Sequence, residues 1–192
     1  MARVREGSKG VLLVVDVQVG VMGDAWEASR VIRNVARAVE RARAQQAPVI
    51  WVQHASDELP SGSPQWQWVP ELGPAEGEPQ IHKHFNSAFE QTALESELAR
   101  LGATHVVLAG AATNWCIRAT AYAALDRGYD LTLVEDAHTT GPMDLGNGVR
   151  VEAAGVIQDL NATMSWLRYP GRSNGTATAE EVSFRPPGEA GG

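Results

Sequence analysis

Val11-Leu12-Leu13-Val14-Val15 is an unbroken apolar run, and it constrains the fold more than any other feature of the chain. A strand with one wet face alternates apolar and polar residues, whereas a strand buried on both faces reads as a continuous apolar run. Val49-Ile50-Trp51-Val52 repeats the pattern and ends near His54, and residues 104–109 read as another strand, apolar from Val106 onward. Between the first two runs the period changes: across residues 24–46 apolar side chains recur at Ile32, Val35, Val39 and Ala42, the spacing of one helix face. Further strands are expected at 80–83, 130–135 and 162–167, and helices at 88–101, 114–127 and 146–159. Strand and helix in alternation give an α/β fold of three layers, a mostly parallel sheet of six strands with helices on both faces, Rossmann-like in plan. Residues 1–170 read as this domain. After Pro170 the composition turns to Gly, Ser, Thr, Pro and Glu, so residues 171–192 are expected as an extended tail, exposed, disordered or laid on a neighbouring subunit.

Charge and cysteine usage narrow the function. A net charge of −7 with no dense basic stretch argues against a nucleic-acid partner. Arg30, Arg33, Arg37, Arg41 and Arg43 read as the solvated side of a helix. The apolar run at 11–15 is far too short for a signal segment or a membrane span, and a single cysteine forms no internal disulfide. A cytoplasmic protein without a membrane partner is the expectation. No G-x-G-x-x-G follows the first strand, which argues against a dinucleotide site.

Parallel sheets bind ligands beyond the carboxyl ends of their strands. Three reactive residues fall there: Asp16 after the first strand, Lys83 at the end of the third, and Cys116 after the fourth. Thr113 is the expected N-cap of the helix that carries the cysteine, which would set the thiol near unpaired N–H groups and favour a thiolate. An ordinary thiol is only a few per cent ionised at pH 7. Asp16 is the candidate base if an apolar site raises its pKa, and Lys83 beside it would hold the carboxylate and stabilise the thiolate. Backbone N–H groups of Ala112 and Cys116 would form the oxyanion hole.

The blocks Val14-Val15-Asp16-Val17-Gln18, His82-Lys83-His84-Phe85-Asn86-Ser87-Ala88-Phe89 and Gly110-Ala111-Ala112-Thr113-Asn114-Trp115-Cys116-Ile117, with Asp136-Ala137-His138, resemble the isochorismatase-like cysteine hydrolases over about residues 11–167. The resemblance implies an isochorismatase-like hydrolase fold, a catalytic triad of Asp16, Lys83 and Cys116, a cis peptide before Ala112, no cofactor, and a homodimer or homotetramer. Cys116 disfavours vinyl-ether cleavage, since true isochorismate hydrolases are expected to lack the nucleophile. Related nicotinamidases carry Asp-x-His for a metal after the second strand; His54, Ala55 and Ser56 stand here, so no metal is expected. The segment 62–72 and the tail are similar to a metal-free branch that includes streptothricin hydrolases, which open a lactam amide. The function so implied is hydrolysis of a C–N bond in a small amide or lactam through a thioester. The alternatives are a redox-sensing thiol protein without turnover, and a nicotinamidase or carbamoyl amidohydrolase of the same superfamily.

Around this centre Gln18, Trp66, Trp68, Phe85 and Phe89 are the candidate substrate-binding residues. The two tryptophans could equally anchor their loop or meet another subunit, and the two phenylalanines could belong to the core. His54 or His84 as base in a Cys–His dyad is the rival mechanism. His105 lies at the wrong end of the sheet for chemistry. His138 is expected to order the loop after strand five, with Asp136 and Asn161 structural.

Overall fold

The computed structural model describes residues 5–185. Six strands form the central sheet: β1 (Lys9–Val15), β2 (Val49–His54), β3 (Gln80–Lys83), β4 (Ala103–Ala111), β5 (Asp130–Thr139) and, late in the chain, β8 (Asn174–Ala177). Their order is β3-β2-β1-β4-β5-β8, and every pairing is parallel. The helices are α1 (Val19–Met22), α2 (Ala28–Ala44), α3 (Leu94–Leu101), α4 (Arg118–Asp126) and α5 (Ala153–Trp166). A small antiparallel hairpin, β6 (Met143–Gly146) and β7 (Val149–Val151), precedes α5.

The apolar run of β1 is explained by its two faces. Val11, Leu13 and Val15 point into a core shared with Leu94 and Leu98 of α3, Ala121 and Leu125 of α4, and Leu160 and Met164 of α5. Leu12 and Val14 point the other way, into a core closed by Val31, Val35 and Val39 of α2. Helices therefore cover both faces, and the expected three-layer, six-stranded architecture is the one observed. Among the described residues no helix is long and apolar enough to cross a membrane.

Three expectations are corrected. The sixth strand is not 162–167. Buried Ala153, Val156, Ile157, Leu160 and Met164 hold the helical period through that stretch, which ends α5. The sixth strand comes instead from the expected tail. Asn174-Gly175-Thr176-Ala177 pairs with β5, Ala179, Val182 and Phe184 then bury against the α2 face, and residues 186–192 lie outside the described residues. A Cβ on Gly10 would stand 2.1 Å from the carbonyl oxygen of Phe184, so only glycine in β1 lets this segment lie so close. The helix expected over 146–159 starts only at Ala153, because Gly146, Asn147 and Gly148 all adopt positive φ and turn the β6–β7 hairpin. The helix expected over 88–101 starts at Leu94; the Thr92 hydroxyl bonds to Ala88 O and accepts from Leu94 N–H, closing a turn before it.

Two buried histidines make the fold sensitive to acid. Burial pushes His105 and His138 each down to about 4. Between pH 6.5 and 4 the unfolded chain binds protons that the folded chain refuses, so stability falls as pH falls through that window. Each contributes a loss of about 3 kcal/mol when fully developed. Urea midpoints measured between pH 7 and 4 are expected to drop steeply for the wild type and less for His105→Gln. Equal slopes for the two proteins would contradict this.

Candidate active site

Five elements deliver the site to the carboxyl edge of the sheet. β1 ends at Val15, and Asp16 turns out of the strand with φ 53°, a left-handed conformation uncommon outside glycine. Its N–H still donates to Val52 O at 2.8 Å, which ties the turn to β2. β3 is paired with β2 in the register His54↔Lys83. β4 runs to Ala111; a Cβ on Gly110 would lie 1.9 Å from the carbonyl oxygen of Val15, so glycine is required where the ends of β4 and β1 meet. The Ala111–Ala112 peptide is cis, and Thr113–Ile117 follow as a π-helical turn leading into α4.

The three residues singled out in the sequence meet. Lys83 Nζ lies 2.7 Å from Asp16 Oδ2 and 3.1 Å from Cys116 Sγ. Asp16 and Lys83 are each 1% exposed and Cys116 is 8% exposed. An ammonium has three N–H bonds to place. Its third neighbour is His54 Nδ1 at 3.4 Å. Burial and the adjacent Lys83 charge lower the His54 pKa, so this imidazole is neutral and its Nδ1 faces the ammonium as an acceptor.

The electrostatics correct one expectation. Burial, reinforced by the Asp16 charge and only partly offset by Lys83, pushes the Cys116 thiol up to about 12. No preformed thiolate sits at a helix end. Thr113 makes no cap bond; it is the first residue of a π turn whose cap position is Ala112, and Thr113 Oγ1 is committed elsewhere. Burial also raises the Asp16 pKa, against the opposing effects of Lys83, Cys116 and His54. Asp16 Oδ1 is buried without a hydrogen-bond partner. The pair thus holds a protonated thiol beside a carboxylate of raised basicity, the arrangement a general base requires. Redox-sensing cysteines are exposed and acidic, and Cys116 is neither.

The candidate substrate-binding residues divide. Gln18 is fully buried and its amide is spent: Nε2 donates to His54 O at 3.1 Å and Trp66 O at 2.8 Å, and Oε1 accepts from His54 N–H at 2.9 Å. It ties the ends of β1 and β2 to the 56–79 loop and has no donor aimed at a ligand. Trp68 packs edge-on against buried Trp51 at 5.2 Å on the α2 face, so it is a loop anchor. Trp66 sets its ring edge-on against His82 at 5.3 Å, and its carbonyl accepts from both Gln18 and Gln53. Phe89 lies in the core against Tyr129 and under the Arg127 guanidinium. Phe85 alone of the five is well exposed, at 44%, in the segment that leaves β3.

Among the described residues no histidine nitrogen hydrogen-bonds Cys116. His54 faces Lys83, and His84 Nδ1 bonds to Ala55 O at 3.0 Å. His105 sits at the start of β4, beside Thr132, and Asp136 Oδ1 accepts from Ala179 N–H, a structural task as expected. Sequence reasoning missed Asn86, whose Oδ1 stands 4.0 Å from Sγ, and exposed Trp115 next to Cys116 in the chain. It also missed His54 as the third neighbour of Lys83. The pairing of β2 with β3 was the signal available, since it puts a histidine beside the lysine. Among the described residues no three His, Cys, Asp or Glu side chains converge as a metal centre needs.

Comparison with known proteins agrees with this architecture. A solved isochorismatase from Pseudomonas putida KT2440 superposes with a TM-score of 0.79 at 27% identity, covering 90% of this chain and 89% of that one. A streptothricin hydrolase of Streptomyces noursei is 32% identical over 72% of this chain and 57% of its own length. A ureidoacrylate amidohydrolase of Methylobacterium radiotolerans is 29% identical over 84% of this chain and 81% of its own. The chain spans 60%, 57% and 49% of the length of three curated relatives that it matches, that streptothricin hydrolase among them. The model of the isochorismatase domain matches residues 10–147, most of the described sheet together with Asp16, Lys83 and Cys116, and the chain belongs to that family.

Proposed function

We propose that this protein is a thiol hydrolase that cleaves the C–N bond of a small amide or lactam through a thioester on Cys116. The observation that carries this reading is the single ammonium of Lys83 bridging Asp16 and Cys116 in a buried setting. Asp16 takes the thiol proton as sulfur attacks the carbonyl carbon. The N–H groups of Ala112 and Cys116 receive the developing oxyanion. Protonated Asp16 then donates to the departing nitrogen, the C–N bond breaks, and a thioester remains. Water attacks the thioester and gives a proton to Asp16, the C–S bond breaks, and that proton returns to sulfur. Lys83 beside Asp16 favours the ionised carboxylate, against the pull of burial toward the neutral acid. The amide class is supported by the names of the two curated relatives, a streptothricin hydrolase and an amidohydrolase.

A panel of primary amides, carbamoyl compounds and lactams, read by amine or ammonia release, tests the reading. Turnover of at least one class, unchanged by chelator treatment, is the expected result. Activity lost to a chelator and restored by zinc would overturn the metal-free mechanism.

A further inference from the structure

A hydrogen-bonded chain stands behind the nucleophile turn. Asn161 of α5 donates from Nδ2 to Glu135 O at 3.0 Å. A carbonyl only accepts, so this bond fixes the amide's orientation and leaves Asn161 Oδ1 as an acceptor. His138 Nε2 lies 2.8 Å from that oxygen and must donate to it. In a neutral imidazole the other nitrogen is then an acceptor, and Thr113 Oγ1, 2.9 Å from Nδ1, must donate. Each proton position follows from the one before. The chain joins β5, α5 and the first residue of the π-turn. The register slip in β4–β5, which pairs Gly110 with His138, brings the imidazole to this level of the sheet. Thr113 is fully buried and its carbonyl accepts from Arg118 N–H, so its side chain and backbone are both fixed.

We infer that Thr113, His138 and Asn161 are positioning residues that set the π-turn so that Cys116 Sγ meets Lys83 and Asp16. This rests on the reading of Cys116 as nucleophile. Nothing in the chain reaches substrate; it acts through the backbone of residues 113–117. His138 is the centre because its two nitrogens perform opposite tasks, which only the neutral Nε2–H tautomer satisfies. Burial pushes His138 down to about 4, which keeps that form populated at neutral pH.

The test uses the full chain and needs no substrate. Iodoacetamide alkylation of Cys116 is followed against pH in the wild type, Thr113→Val, Thr113→Ser and Asn161→Ala. Valine keeps the shape and removes the donor; serine keeps the donor. Thr113→Val is expected to move the midpoint of the profile by about half a unit or more, because the contacts that set the thiol's pKa no longer align. Thr113→Ser is expected to restore it. Asn161→Ala is expected to shift it in the same direction as valine, and this half-exposed site keeps the test available if the valine variant fails to fold. With an amide in hand, kcat falls about 10²-fold in Thr113→Val while KM stays near wild type. Folded variants with the wild-type profile overturn the inference and leave the thiol mechanism standing. Turnover retained at the wild-type level in Cys116→Ser overturns both.

Discussion

Replacing Cys116 by serine is expected to abolish hydrolysis and to leave the fold in place. The thiol already sits well above its ordinary pKa, and in the proposed mechanism Asp16 deprotonates it because sulfur is an acid beside a carboxylate of raised basicity. A hydroxyl is several units weaker as an acid and stays protonated beside the same base. The loss of kcat is expected to exceed about 10⁴-fold, the scale seen when a covalent nucleophile is removed. Stability should change by only about 1 kcal/mol, because serine fills nearly the same buried volume and Lys83 Nζ can donate to its oxygen. Steady-state turnover and urea unfolding measured on one preparation check both halves. An inactive variant that is also unfolded would say nothing of chemistry; Cys116→Ala, which adds no polar atom to the core, then separates the two.

Lys83→Met has the larger effect on stability. The Lys83 side chain is fully buried and the Asp16 carboxylate nearly so. Removing the cation leaves the acid in the protein interior with no charge partner, and breaking a buried pair from one side costs about 3–5 kcal/mol. Methionine retains the aliphatic stem, so the loss reports the charge and its bonds more than the packing. Asp16 responds by taking up a proton, since burial alone drives its pKa upward once the ammonium is gone. Turnover is lost with it, because a protonated Asp16 accepts nothing from the thiol. The double variant Asp16→Asn/Lys83→Met removes both charges and is expected to be more stable than Lys83→Met alone. Urea unfolding of the two single variants and the double variant measures the coupling. A double variant as unstable as the sum of the singles would contradict the pairing.

The features that the sequence makes legible are those with a period or a punctuation mark. Apolar runs buried on both faces gave β1, β2 and β4, and the residues at their ends gave the place where chemistry collects. Asp16, Lys83 and Cys116 lie far apart in the chain, yet parallel topology alone brings strand ends together, which is why the trio could be read before any coordinates. What was hidden depends on partners that no local pattern announces. β8 is Asn-Gly-Thr-Ala, four half-buried residues at a sheet edge, with neither an apolar run nor alternation. The 146–148 turn carried its signal in Gly-Asn-Gly, which the helical expectation over 146–159 passed over. Sequence alone makes Gln18 a candidate substrate contact and leaves the alternatives for Phe89 and Trp68 open, because a polar or aromatic residue near a motif looks the same in sequence whether it faces a ligand or its own core. Gln18 is spent on three hydrogen bonds, and Phe89 packs in the core against Tyr129. The thiol's pKa went the other way from the sequence-based expectation because burial outweighs the nearby ammonium.

The most direct measurement is an acid-quenched intact mass of the full chain caught during turnover of an amide from the panel, with peptide mapping of the labelled segment. Hydrolysis through sulfur predicts a mass gain equal to the acyl portion, located on Cys116 and missing in Cys116→Ser. Sustained turnover with an unmodified Cys116, or an acyl group mapped to another residue, would contradict it.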